Sequence, residues 1–127
     1  MEWIAIVTIL ALVEFMWLGM RVGAARGKYE IKAPATIGND IFERHYRVAH
    51  NTLEQLVVFL PALWLFGTYV NGGLGALIGV VFLVGRAMYA FAYVEDPAKR
   101  STGFMLTFVP SLLLLLGGLG GAVMAML

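Results

Sequence analysis

The chain contains no cysteine. A disulfide framework, a thiolate metal site and a protein thiol nucleophile are therefore excluded, and any sulfur chemistry must use a sulfur carried in by a substrate. Charge is also scarce: Asp, Glu, Lys and Arg make up 13% of the 127 residues, about half the share in a soluble domain. The sequence has no run of like charges and no internal repeat, and its net charge is only +1. A nucleic-acid partner is not expected, nor is a metal site. What is present is apolar. Hydrophobic residues reach 61% and the mean hydropathy is +0.84, far above a water-soluble globule.

Four apolar stretches free of net charge runs can be read along the chain: Trp3 to Met20, Leu53 to Val70, Leu74 to Val94 and Gly103 to Leu127. Each is long enough to cross a bilayer, which needs about 20 residues. Four such spans leave little more than loops, so residues 1–127 are expected to form one four-transmembrane-helix bundle, all-α, with no separate soluble domain. The opening Met1-Glu2-Trp3 lacks the basic start of a cleaved signal, and the first segment is expected to be retained as a helix with an interfacial Trp. Only Asn71-Gly72-Gly73 separates the second and third stretches, which predicts a tight helical hairpin.

The basic residues are one-sided. Arg21, Arg26, Lys28, Lys32, Arg44 and Arg47 lie between the first two stretches, Lys99 and Arg100 follow the third, and Arg86 lies within it. By the positive-inside rule the first and third loops face the cytoplasm and both termini face away. Asp40 and Glu43 mark an acidic first turn, so the second helix is expected to start well before its apolar part and to reach about Tyr69. Asp96-Pro97 reads as N-cap and N1 of the fourth helix, which would place Lys99 and Arg100 in its first turn, against the helix dipole. Glycines four apart (Gly19 and Gly23, Gly75 and Gly79, Gly117 and Gly121) predict close helix packing. Pro61 and Pro110 fall inside helices two and four, where membrane helices tolerate them.

At about 100° per residue, Glu43, Arg44, Arg47, Asn51 and Glu54 share an arc of about 100° on helix two. Asn51 and Glu54 carry this polar face to the edge of an apolar span, where unpaired polar groups are costly. On helix three Arg86, Tyr89 and Tyr93 share one side, and Arg86 needs a partner, with Glu14 or Glu54 as the candidates. On helix four Arg100, Thr107 and Ser111 form a strip, although hydroxyls in such helices more often bond their own backbone. These faces predict a cavity on the basic side with excess cations (Arg26, Arg44, Arg47, Lys99, Arg100) and one deep carboxylate, Glu54. A small zwitterion with more acids than amines would suit it. Glutathione is compatible, with arginines on its carboxylates and Glu54 on its ammonium, and other acidic metabolites fit as well.

The string Phe42-Glu43-Arg44-His45-Tyr46-Arg47-Val48-Ala49-His50-Asn51-Thr52-Leu53-Glu54 resembles the E-R-x-x-R-x-x-x-N-x-x-E signature of the MAPEG family, membrane-associated proteins in eicosanoid and glutathione metabolism. Phe82 to Tyr93, followed by Arg100-Ser101, is similar to the matching stretch of the family's prostaglandin synthase branch. The resemblance implies a homotrimer of four-helix protomers that binds glutathione near the cytoplasmic side at subunit interfaces. Matched by position, Arg26, Arg47, Asn51, Glu54, Tyr89, Tyr93 and Ser101 would bind glutathione and Arg100 would activate its thiol. The implied activity is a glutathione transferase acting on a hydrophobic electrophile reached from the lipid, with peroxidase or isomerase chemistry as variants. Ala49 and Gln55 depart from the family's glutathione contacts. Ser101 is similar to the prostaglandin synthase branch, whereas the interval from Tyr93 to Arg100 matches the leukotriene branch. The short connections resemble bacterial members, which implies the cell's inner membrane. Two rival readings are a non-catalytic lipid- or glutathione-binding member and a small multidrug transporter, whose helix-one glutamate Glu14 would supply. The complete Lys and Arg bias and the Glu-Arg-x-x-Arg face oppose the transporter.

Overall fold

The computed structural model describes residues 1–127. Four helices, α1 (Glu2–Lys28), α2 (Asp40–Tyr69), α3 (Gly72–Glu95) and α4 (Ser101–Met126), run alternately up and down, with a single 3₁₀ turn at Pro97–Lys99 before α4. All four are long and apolar enough to cross a membrane. Helix α2 has the predicted extent of 30 residues, about 45 Å at 1.5 Å per residue. It starts under an Asn39 cap, whose side chain accepts from the Phe42 amide at 3.0 Å. Asn71 does the same for α3, accepting from Leu74 N at 2.7 Å, so the α2–α3 hairpin closes over Val70 and Asn71. Helices α2 and α4 run through Pro61 and Pro110 without interruption.

The start of α4 differs from expectation. Asp96 caps the separate 3₁₀ turn, accepting from Ala98 N at 3.0 Å. Helix α4 begins at Ser101 with Arg100 in the N-cap position. Proline at the first position of a helix is satisfied as well by one 3₁₀ turn as by an α-helix, and sequence alone does not separate the two. Arg100 therefore stands at the mouth of the helix rather than inside its first turn.

Helices α1 and α4 each pack along both α2 and α3. At the end remote from the basic residues, the core is built around the stacked rings of Phe59 and Phe82, whose centroids lie 3.7 Å apart, with Ile4, Val7, Leu63 and Leu114. Nearer the basic end, Leu18, Val48, Ala49, Tyr89 and Ala90 form a smaller cluster. Only 29 of 127 residues are buried, and large apolar side chains on every helix point outward, among them Met16, Leu77 and Leu119. In water such a surface would aggregate; against lipid or further copies of the chain it is matched.

Two of the three glycine pairs pack as predicted. Gly75 and Gly79 face Phe66, Ile4 and Val7, and Gly117 and Gly121 face Phe66 and Tyr69. Gly19 and Gly23 meet nothing within 4 Å in the protomer. Between α3 and α4 two other glycines meet main chain: a Cβ on Gly103 would collide with the backbone of Tyr89, and one on Gly85 would lie 2.7 Å from Leu106 carbons. These two glycines let α3 and α4 touch backbone to backbone, which brings Tyr89 beside the start of α4.

Candidate functional site

At the basic end, α2, α3 and the start of α4 enclose a cavity of about 600 Å³. Arg47 and Asn51 line it from α2, Tyr89 and Tyr93 from α3, and Arg100, Ser101, Phe104 and Met105 from the α4 side. Six of the eight side chains that the family resemblance implies as site residues thus converge on one space, and Arg26 and Glu54 do not line it. Phe104 and Met105 were missed because they are apolar. Phe104 nevertheless lies four residues after Arg100, on the same helical face, and that spacing could have found it.

The cavity floor is organised by Arg86, which has no exposed surface. Its Nη1 donates to Asn51 Oδ1 at 2.8 Å and to Thr52 Oγ1 at 3.1 Å, and its guanidinium carbon lies 4.2 Å from the centre of the Tyr89 ring. The expected ion pair with Glu14 or Glu54 is not formed. The chain's three ion pairs are Met1–Glu2, Arg47–Glu54 and Lys99–Glu95. Neutral oxygens meet Nη1 and a ring face lies against the guanidinium instead, while Nε and Nη2 are buried without a hydrogen-bond partner. Thr52 lies off the polar face of α2, so its part was invisible in the helical pattern. Its hydroxyl also donates to Val48 O at 2.8 Å, leaving its lone pairs for Arg86.

At the mouth, Arg47 Nη1 contacts Glu54 Oε1 at 3.0 Å, with both side chains about half exposed. Glu54 reaches the cavity through Arg47 and does not line it. Arg100 Nη1 donates to Pro97 O at 2.8 Å and is otherwise exposed. Tyr89 and Tyr93 are 5.5 Å apart between ring centres, and Tyr89 is 6.4 Å from Phe104. The result is a ring-walled space with two guanidinium groups at its mouth and a fixed amide at its floor.

The other predicted cations do not enter. Arg44 donates to Val94 O at 3.0 Å and Glu95 O at 3.2 Å, closing the C-terminus of α3 where its carbonyls lack partners. Lys99 bonds Glu95 at 3.1 Å, and that carboxylate pushes the ammonium pKa up. Arg26 lies over the Phe42 ring at 4.8 Å and donates to Ala35 O at 2.8 Å, which ties down the α1–α2 connection. Thr107 turns its hydroxyl back to Phe104 O at 2.7 Å, and neither it nor Ser111 lines the cavity.

Beside the polar cavity, and sharing Ser101 and Met105 with it, runs an apolar groove of about 510 Å³ between α3 and α4. Ile78, Val81, Leu106, Val109 and Leu113 form its walls. A charged, hydrogen-bonding chamber and a lipid-like channel therefore meet at the start of α4.

The MAPEG family profile matches residues 4–120. This chain is a member of the MAPEG family. An uncharacterized protein of Synechocystis is 46% identical over 117 residues, 92% of this chain and 85% of that protein. Human microsomal glutathione S-transferase 2 is 38% identical over 118 residues, covering 92% and 80% of the two chains. Leukotriene C4 synthase of Cavia porcellus is 34% identical over 97 residues, covering 76% and 65%. With the four apolar helices, membership makes this MAPEG chain an integral membrane protein related to glutathione-using transferases, and sets aside the transporter reading.

Proposed function

We propose that this protein is a membrane-bound glutathione transferase whose glutathione site is the cavity of Arg47, Asn51, Tyr89, Tyr93, Arg100 and Ser101. The convergence of these six side chains on one space of about 600 Å³, directly beside an apolar groove, carries the reading. Arg47 and the free N–H₂ of Asn51 hold carboxylate and carbonyl oxygens of the peptide, and Glu54, held by Arg47, takes its ammonium. The thiol lies toward Arg100. A guanidinium beside a helix N-terminus favours thiolate over thiol, whose free pKa is about 8.5. The thiolate then attacks a hydrophobic electrophile lying in the groove, and the same cation stabilises charge that develops on the substrate. Reduction of a lipid hydroperoxide is a variant of the same attack.

The working unit is a homotrimer formed by residues 1–127, with the cavity on the cytoplasmic side of the cell membrane. Support for the trimer comes from Arg26, which stands outside the cavity of its own protomer, and from the open Gly19 and Gly23 face of α1. The test is direct. The full chain, purified in mild detergent, is titrated with glutathione by calorimetry and assayed for conjugation of an aryl halide and reduction of a lipid hydroperoxide. Glutathione binding with at least one activity is expected. Binding without either activity leaves a glutathione-binding protein, and absence of binding overturns the site.

A further inference from the structure

A second basic cavity, of about 240 Å³, opens where α1 leaves its apolar run and meets the start of α2. Arg21, Lys28, Tyr29 and His45 supply its polar lining and no carboxylate is among its walls. Arg21 is clamped between two rings, its guanidinium carbon 5.0 Å from the Trp17 centre and 4.9 Å from that of Phe91. Its Nη1 is buried and has no hydrogen-bond partner. None of the chain's ion pairs involves Arg21 or Lys28, so the cavity carries cationic charge that nothing in the protomer neutralises.

We propose that this cavity binds the phosphate of an anionic phospholipid. Position argues for a lipid. Arg21 is the first charged residue after the apolar stretch ending at Met20, at the level where hydrocarbon gives way to headgroups, and aromatic side chains such as Trp17 favour that level. Phe91, which touches the Arg21 guanidinium and is 56% exposed, offers an apolar outer surface to acyl chains. Chemistry argues for phosphate. A guanidinium lodged between two rings, with Nη1 buried, leaves its Nε and Nη2 edge as a side-on fork for two phosphate oxygens, while Lys28 adds a flexible point charge. The volume admits a phosphate and the first atoms of glycerol, with the tails outside. A zwitterionic headgroup would bring its own ammonium against Arg21 and Lys28, so a net negative headgroup is selected. This site is separate from the glutathione cavity and does not depend on it.

Native mass spectrometry of the full chain in neutral detergent, with phosphatidylglycerol and phosphatidylcholine offered at equal concentration, tests the proposal. Phosphatidylglycerol is expected to be retained about five- to tenfold in excess, at one per chain. Arg21→Gln should bring the ratio close to one, and Lys28→Gln, at an exposed position, should lower it in part. If Arg21→Gln does not fold, Lys28→Gln and Arg21→Lys carry the test. Equal retention of both lipids, or full preference in Lys28→Gln and the folded Arg21 variant, overturns the site. Displacement of phosphatidylglycerol by millimolar inorganic phosphate would show a free-anion pocket and overturn its assignment to lipid.

Discussion

Arg86 fixes the orientation of Asn51. Because Arg86 Nη1 takes the Oδ1 of Asn51 at 2.8 Å, the amide must turn its N–H₂ the other way, and that group has no hydrogen-bond partner within the protein. Asn51 is 9% exposed and lines the cavity, so its remaining surface is a donor surface. A buried arginine on α3 thus decides that the floor of the α2 site offers donors rather than acceptors.

The two halves of this relationship separate by mutation. Asn51→Leu should leave the Arg86 guanidinium short of its strongest partner and cost about 2 to 4 kcal/mol of stability, the range for a buried charged donor that loses its acceptor. Asn51→Asp should keep the fold, because a carboxylate serves Arg86 at least as well, but it replaces the N–H₂ with an oxygen. Glutathione affinity in Asn51→Asp is then expected to fall by more than about tenfold. Thermal unfolding in detergent and calorimetric titration measure the two effects. Normal glutathione affinity in a folded Asn51→Asp protein would mean that the amide does not touch the ligand.

The periodicity of polar residues on α2 and α3 points to four of the eight residues that line the cavity, Arg47, Asn51, Tyr89 and Tyr93, because a polar face that continues into an apolar span has few places to go. The extent of α2 was legible from the acidic turn of Asp40 and Glu43 and from the apolar run to Tyr69, whereas α4 begins at Ser101 and not after Asp96, because a proline start serves a 3₁₀ turn as well. Three things were not legible. The contacts of Arg86 are not with carboxylates: Asn51 and Thr52 take its Nη1, and Nε and Nη2 stay buried without a hydrogen-bond partner, which no residue pattern signals. The roles of Arg26 and Arg44 were hidden, since a cation that caps a helix or ties a loop looks in sequence like one that binds a ligand. The backbone contact of α3 with α4, Gly85 against Leu106 and Gly103 against Tyr89, left no signal because neither glycine has another glycine four residues away.

That contact is the second point of test. A Cβ on Gly103 would meet the Tyr89 backbone, and the helix cannot yield locally because both neighbours are main chain. Gly103→Ala should therefore push α4 away from α3, separating Arg100 and Ser101 from Tyr89. A loss of about 1 to 3 kcal/mol is expected, the usual cost of overpacking, in place of the gain of about 0.5 to 1 kcal/mol that replacing Gly by Ala gives in an unobstructed helix. Glutathione affinity should drop with it. A stability unchanged or raised in Gly103→Ala would show that the two helices are less tightly apposed.

Arg100 stands at the N-cap of α4, held to Pro97 O and otherwise exposed, so its removal should not disturb the fold. Arg100→Ala is expected to retain glutathione and to lose turnover by roughly 10² to 10³, as for loss of one preorganised donor to an oxyanion. The sign of the pH effect follows from the charge. A cation lowers the pKa of the bound thiol, so conjugation in the unaltered protein should reach its plateau below the free-thiol value of about 8.5. In Arg100→Ala the rise should move upward toward that value. Thiolate absorbance of bound glutathione near neutral pH gives the same answer without turnover, and an unchanged pH profile would assign the proton to another group, with Tyr93 the next to test.

The position of Arg26 gives the test of assembly. Within its own protomer it lies outside the cavity, bonded to Ala35 O, so in the proposed trimer it would serve the cavity of a neighbour or none. Arg26→Ala and Arg100→Ala chains should each be weakly active alone. Coexpressed, they form mixed rings, and going round any mixed ring of three there is one junction at which a chain with Arg100 intact meets a neighbour with Arg26 intact. About one third of the sites in mixed trimers should then recover. If Arg26 acts within its own chain, no junction restores both arginines and activity stays at the level of the single variants. Recovery in isolated mixed trimers, sorted by two affinity tags, therefore establishes both the ring and the shared site, and its absence assigns Arg26 to the α1–α2 connection alone.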